Sequence, residues 1–158
     1  MSKYGYNVLS ITDRTHFYAH TAKLQPTAML FYSHMGGTAQ EYAAEHPNCA
    51  VILRTWPDGT ETLLKSPEQW LDNVSKDVPA NLYLYTCNEV GWSSSLIRWH
   101  IEVMKLAIQR KRRLCILNMG VGQPLPEAWA DVRELIELAS KHRDLFIVGL
   151  HEYAGAVI

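Results

Sequence analysis

Asn88-Glu89 is the most pointed pair of side chains in the chain. It follows the apolar run Leu82-Tyr83-Leu84-Tyr85 and comes just before Gly91 and Trp92. A carboxyl group placed at the end of such a run can serve as a proton donor. His151-Glu152-Tyr153 closes another apolar run. In an extended segment His151 and Tyr153 share one face and send Glu152 to the other. Arg54 and Trp56 end a third run, and a Trp there can stack on the apolar C–H face of a sugar ring. Trp92 divides evenly between such a platform and plain packing. His34 and Asn118 end two further runs. His34 reads first as a hydrogen-bonded strand-end residue, and Asn118 equally as a turn former ahead of Gly120.

Other chemistries lack their patterns. Gly120-Val121-Gly122-Gln123-Pro124 has no third glycine and runs into proline, so it cannot open a dinucleotide-binding helix. There is no GxxxxGK[ST] loop. His151-Glu152 is followed by Gly155 where a zinc protease motif needs a second His. Cys49, Cys87 and Cys115 are far apart and form no CxxC pair. They read as small buried hydrophobes. Asn73-Val74-Ser75 matches a glycosylation sequon but falls in an expected helix.

These groups must be held by a single domain. The chain has 158 residues, 47% hydrophobic and 20% charged, enough for a buried core. Its net charge of −1 argues against nucleic acid as the main partner. The run Arg110-Lys111-Arg112-Arg113 reads as a solvated helix end leading into a strand. No stretch approaches the roughly 18 apolar residues of a membrane span. The first residues lack the basic start and apolar run of a secretory signal, so the default expectation is a cytoplasmic protein.

The strongest pattern along the chain is alternation. Apolar runs at Tyr6–Ile11, Ala28–His34, Ala50–Trp56, Leu82–Cys87, Leu114–Asn118 and Leu145–Leu150 read as strands covered on both faces. Helical stretches separate them: Asp13–Leu24, Thr38–His46, a third from Ser66 to Ser75, Ser94–Arg112 and Pro126–His142. Ser66-Pro67-Glu68 is a helix start, with Ser as cap and Pro in first position. Ile97, Ile101, Met104 and Ile108 mark the buried stripe of the longest helix, and Trp129, Val132, Leu135, Ile136 and Ala139 that of the last. Trp70, Trp99 and Trp129 read as helix aromatics that pack or cover the core.

Six such units imply an α/β fold with parallel strands. Two architectures fit: a doubly wound open sheet, or the first six units of a (β/α)8 barrel. An open sheet gathers ligand groups at its switch point. A barrel rings one site with all its strand ends. Asn7, His34, Arg54, Trp56, Asn88, Glu89, Asn118, His151 and Tyr153 are spread over all six runs, which favours the barrel. Complete barrels typically need about 250 residues. The expectation is therefore a partial barrel over residues 1–158, either truncated or closing its edges against another chain, with self-association through open edges.

At Asn88-Glu89 the sequence resembles the clan of retaining glycoside hydrolases built on (β/α)8 barrels. Counting Tyr6–Ile11 as strand one puts the pair at strand four, where that clan carries Asn-Glu. His151-x-Tyr153 at strand six is similar to a pattern that often lines its sites. The resemblance covers strand order over most of the chain and rests on these two short motifs. Val90 departs from the proline many members carry. The resemblance implies that Glu89 is the general acid/base and that Asn88 holds the sugar 2-hydroxyl. Arg54, Trp56, His34, Trp92, Asn118, His151 and Tyr153 are then candidates to line a carbohydrate site. A retaining mechanism needs a second carboxylate about 5 to 5.5 Å away. The clan supplies it at strand seven, which these 158 residues do not reach, and Glu152 is a weak substitute. The chemistry needs no metal or organic cofactor, and hydrolysis by the isolated chain is expected to be slight. The alternatives are a non-catalytic carbohydrate-binding module and an open α/β domain for another small molecule.

Overall fold

A computed structural model describes residues 5–8, 10–55, 65–88, 91–119 and 129–150. Within them the apolar runs form six strands: β1 (Gly5–Val8), β2 (Ala28–Tyr32), β3 (Ala50–Arg54), β4 (Tyr83–Tyr85), β5 (Arg113–Met119) and β6 (Phe146–Leu150). Five α-helices alternate with them among the described residues: α1 (Arg14–Leu24), α2 (Gly36–Glu45), α3 (Pro67–Ser75), α4 (Ser94–Arg110) and α5 (Arg133–Lys141). A short 3-10 turn, Ser33–Met35, links β2 to α2.

Every neighbouring pair of strands is parallel, and the order across the sheet is the order along the chain, β1 to β6. A doubly wound sheet reverses its order and carries helices on both faces. Here the order never reverses, and the packing puts all five helices on one face. Met29, Phe31, Val51, Leu53 and Leu82 pack with Phe17 and Tyr18 of α1 and Ala39 and Tyr42 of α2. Leu84, Leu114, Ile116 and Phe146 pack with residues of α3, α4 and α5. The alternate strand residues Leu30, Ala50, Ile52, Tyr83, Tyr85, Cys115 and Ile147 form a separate cluster on the other face, with no helix residue in it. The sheet is a curled half-barrel, helices outside and this cluster on the concave side, as a partial (β/α) barrel requires. Among the described residues no ladder joins β1 to β6, so both are edges.

The helix starts follow from local chemistry. Ser66 accepts from the Gln69 backbone N–H and Gln69 reaches back to the Ser66 N–H, a capping box with Pro67 in the first turn. Asp13 caps α1 and Ser93 caps α4 by a single bond each, accepting from the His16 and Leu96 backbone N–H groups. Helix α4 stops when Lys111 turns left-handed at φ 53°. The basic run that follows is divided among three jobs. Arg110 bridges to Glu68 and Asp72 on α3. Arg112 is buried, which lowers its pKa. Arg113 lies over the Tyr83 ring at 5.4 Å.

Several boundaries differ from the periodic pattern, two of them by more than two residues or with a change of structure. β2 ends at Tyr32, because Ser33–Met35 coil into the turn and carry His34 with them. α5 begins at Arg133 instead of Pro126, with no side-chain cap at Val132. Trp129 stands before it, 44% exposed, and so is not part of that helix's apolar face. Trp70 and Trp99 are buried as expected. Cys87 and Cys115 are buried and Cys49 is half-buried.

Candidate site at the carboxyl ends of the strands

The registers define one row across the concave face near the strand ends. Tyr32 pairs with Arg54. Leu53 pairs with Leu84, so Arg54 and Tyr85 come next to each other. Tyr85 pairs with Cys115, and Cys115 with Ile147. Within this row Arg54 sits between two aromatic faces. Its guanidinium carbon is 5.0 Å from the Tyr32 ring centroid and 5.8 Å from that of Tyr85. Its Nη1 donates to the Tyr32 hydroxyl at 3.1 Å. A cation held this way gains about 0.5 to 2 kcal/mol and has its fork fixed in place.

Beyond the end of β4, the Tyr85 hydroxyl donates to Asn88 Oδ1 at 3.1 Å. With Oδ1 engaged, the amide offers its Nδ2–H groups as donors. The His34 ring is 6.3 Å from the Tyr32 ring and exposed. The structure thus gathers three of the expected residues, His34, Arg54 and Asn88, at the ends of β2, β3 and β4. Tyr32 and Tyr85 link them and were not singled out from sequence. The available signal was alternation: Tyr83-x-Tyr85 and Tyr32 are the polar-tipped members of otherwise apolar strands. Such a corner offers amide, phenol and guanidinium groups to a polyhydroxylated ligand, plus flat aromatic faces for its C–H surfaces.

Asn118 does not join this corner. It is fully buried in a polar network behind the ends of β4 and β5. Its Nδ2 donates to the Cys115 carbonyl at 2.9 Å and to Thr86 Oγ1 at 3.4 Å, and its Oδ1 accepts from the Cys115 thiol at 3.1 Å. His100 of α4, also fully buried, completes the network. Its Nδ1 is 3.0 Å from the Leu96 carbonyl and must carry the proton there. Its Nε2 is then the acceptor, 2.9 Å from Thr86 Oγ1 and 3.4 Å from the Leu117 backbone N. Burial pushes the His100 pKa down to about 4, which keeps the ring neutral as this pattern requires. Burial likewise pushes the Cys115 thiol up to about 12, so it is a packed donor and no nucleophile.

The backbone is also unusual here. Leu117 has φ 72° and Asn118 φ 37°, and the β5–β6 register slips between Leu117 and Met119. Left-handed backbone at non-glycine residues costs about 1–2 kcal/mol each. Gly149 of β6 makes room for it: a Cβ there would lie 1.9 Å from Asn118 Oδ1.

Trp92 is half-buried against the α4 core, and its Nε1 has no hydrogen-bond partner among the described residues. Trp56, Glu89, His151, Glu152 and Tyr153 lie outside the described residues. Among the described residues no three His, Cys, Asp or Glu gather as a metal site, and no helix is long and apolar enough to cross a membrane. A cavity of about 630 Å³ opens at the opposite end of the sheet, lined in part by Gln25, Tyr42, His46 and Cys49. In barrels that end serves stability, while chemistry collects at the strand carboxyl ends. Comparison with known proteins finds no matching family model, no matching curated protein and no matching solved structure.

Proposed function

We propose that the concave strand ends of this half-barrel bind a carbohydrate, in a glycoside hydrolase-like domain where Glu89 is the general acid/base. One observation carries the reading. Asn88 is tied through Tyr85 to Arg54 and Tyr32, so the residue preceding Glu89 belongs to the corner built by β2, β3 and β4. That is where a parallel (β/α) barrel does its chemistry. The residue types suit a sugar. The Asn88 amide donates to a ring hydroxyl, and Glu89 protonates the departing glycosidic oxygen.

The test uses the protein as its gene encodes it and a panel of aryl glycosides. Glu89→Gln is expected to lower kcat at least 100-fold on poor leaving groups, and much less on dinitrophenyl glycosides, which need no proton. Unchanged turnover in Glu89→Gln contradicts the acid/base role. Oligosaccharide binding that is lost in Asn88→Ala, without turnover by the parent, leaves a carbohydrate-binding module and removes the hydrolase.

A further inference from the structure

We propose that the buried His100–Thr86–Asn118 network is a positioning device that sets Asn88, just beyond β4, against β5 and β6. The inference rests on the carbohydrate reading of that strand end. The β4–β5 ladder stops just past Tyr85, with the Thr86 N–H on the Cys115 carbonyl at 3.1 Å. Side chains take over from there. The Thr86 hydroxyl donates to His100 and accepts from Asn118. The Cys87 thiol lies 3.4 Å from the Leu117 carbonyl. Asn88 follows at once, held by Tyr85. One imidazole on α4 therefore fixes Thr86 and Leu117 together, two residues before Asn88 on one strand and at the left-handed turn of the other.

A histidine that merely filled the core would not need this arrangement. Its acceptor nitrogen serves two different strands, and the groups around it form a connected polar set in an otherwise apolar layer. Strained backbone at Leu117 and Asn118 persists only where the surroundings dictate it. Here they are His100 on one side and Gly149 on the other. His100 touches no ligand in this scheme. It acts through Thr86, so it is a positioning residue.

The test compares His100→Leu with His100→Gln in the full 158-residue chain labelled with 15N. The Gln side-chain oxygen can replace Nε2 as acceptor, while Leu cannot. His100→Leu is expected to shift the Asn88 side-chain amide resonances and leave those of Tyr32 and His34 in place. His100→Gln is expected to restore the Asn88 resonances. An oligosaccharide that binds the parent should bind His100→Leu at least 10-fold more weakly and His100→Gln within about 3-fold. Thr86→Val removes the same link from the strand side and decides the matter if His100→Leu does not fold. Asn88 resonances unchanged in a folded variant, or changes spread equally to Tyr32 and His34, overturn the proposal. If no oligosaccharide binds the parent, the carbohydrate reading fails, and the Asn88 resonances still decide whether the network positions that strand end.

Discussion

His100 is a single imidazole in the middle of a helix, and it ties the chain just beyond β4 to β5. Its neutrality has a measurable consequence. The unfolded chain takes a proton on this ring near its ordinary pKa of 6.5, whereas the native ring resists until about pH 4. Between those values the unfolded state binds more protons, so stability is full above pH 6.5 and falls as the pH drops toward 4. Urea unfolding at pH 7 and pH 5 should show that loss in the parent and a smaller one in His100→Gln. Equal losses in both would mean the ring is not held neutral. His100→Leu should cost about 1–3 kcal/mol at pH 7, because the Thr86 hydroxyl and the Leu117 N–H lose their buried acceptor. Asn88 and Arg54 were legible from sequence because they stand where an apolar run gives way to polar residues. His100 was not, because no motif spacing marks it. It falls three residues after Ile97 on the stripe the periodicity assigns to the core. A polar residue on that stripe was the available sign. Asn118 was misleading for the same reason in reverse: its position at a strand end suggested a ligand, and its amide is spent inside the protein.

At the scale of elements, strand order and helix order could be read from periodicity, since the apolar runs are too short for buried helices and turn or helix signals bound each of them. Ends were harder. The Ser66 capping box was visible as a helix start, while the 3-10 turn at Ser33–Met35 and the late start of α5 depend on packing that no local pattern encodes. Ser66→Ala should destabilise the protein by about 1 kcal/mol in urea or heat, with the fold otherwise intact. Arg110→Ala should cost less than about 1 kcal/mol, since Glu68 and Asp72 are largely exposed and solvent screens the pairs. Gly149 is the sharper case. Gly149→Ala drives a methyl into Asn118 Oδ1, whose amide is held by the Cys115 carbonyl and Thr86. A loss of about 1–3 kcal/mol is expected, and calorimetry of the purified variant reads it. A midpoint equal to that of the parent would contradict the close approach.

Taken whole, the described residues form a half-barrel with edges at β1 and β6. Chain-order strands with every described helix on one face decide between the two architectures that six alternating units allow, and composition could not have done so. The spread of polar residues over many strand ends pointed the right way, because only a curled sheet brings separate ends to one axis. Val148 is 41% exposed on β6, an apolar side chain on a strand whose outer ladder is unpaired among the described residues. Exposed edges of this kind associate. Sedimentation of the 158-residue chain should show concentration-dependent self-association, reduced by Val148→Lys. A monomer at all concentrations would mean the edges are covered in solution.

The central claim is that a carbohydrate binds at the concave ends of β2, β3 and β4. The most direct measurement is an NMR titration of the 15N-labelled chain with a panel of oligosaccharides, following the Asn88 side-chain amide and Arg54 Nε. At least one member should move both signals saturably and bind Asn88→Ala at least 10-fold more weakly. A panel that moves neither signal, or that moves only residues around His46 and Cys49 at the opposite end, would contradict the account.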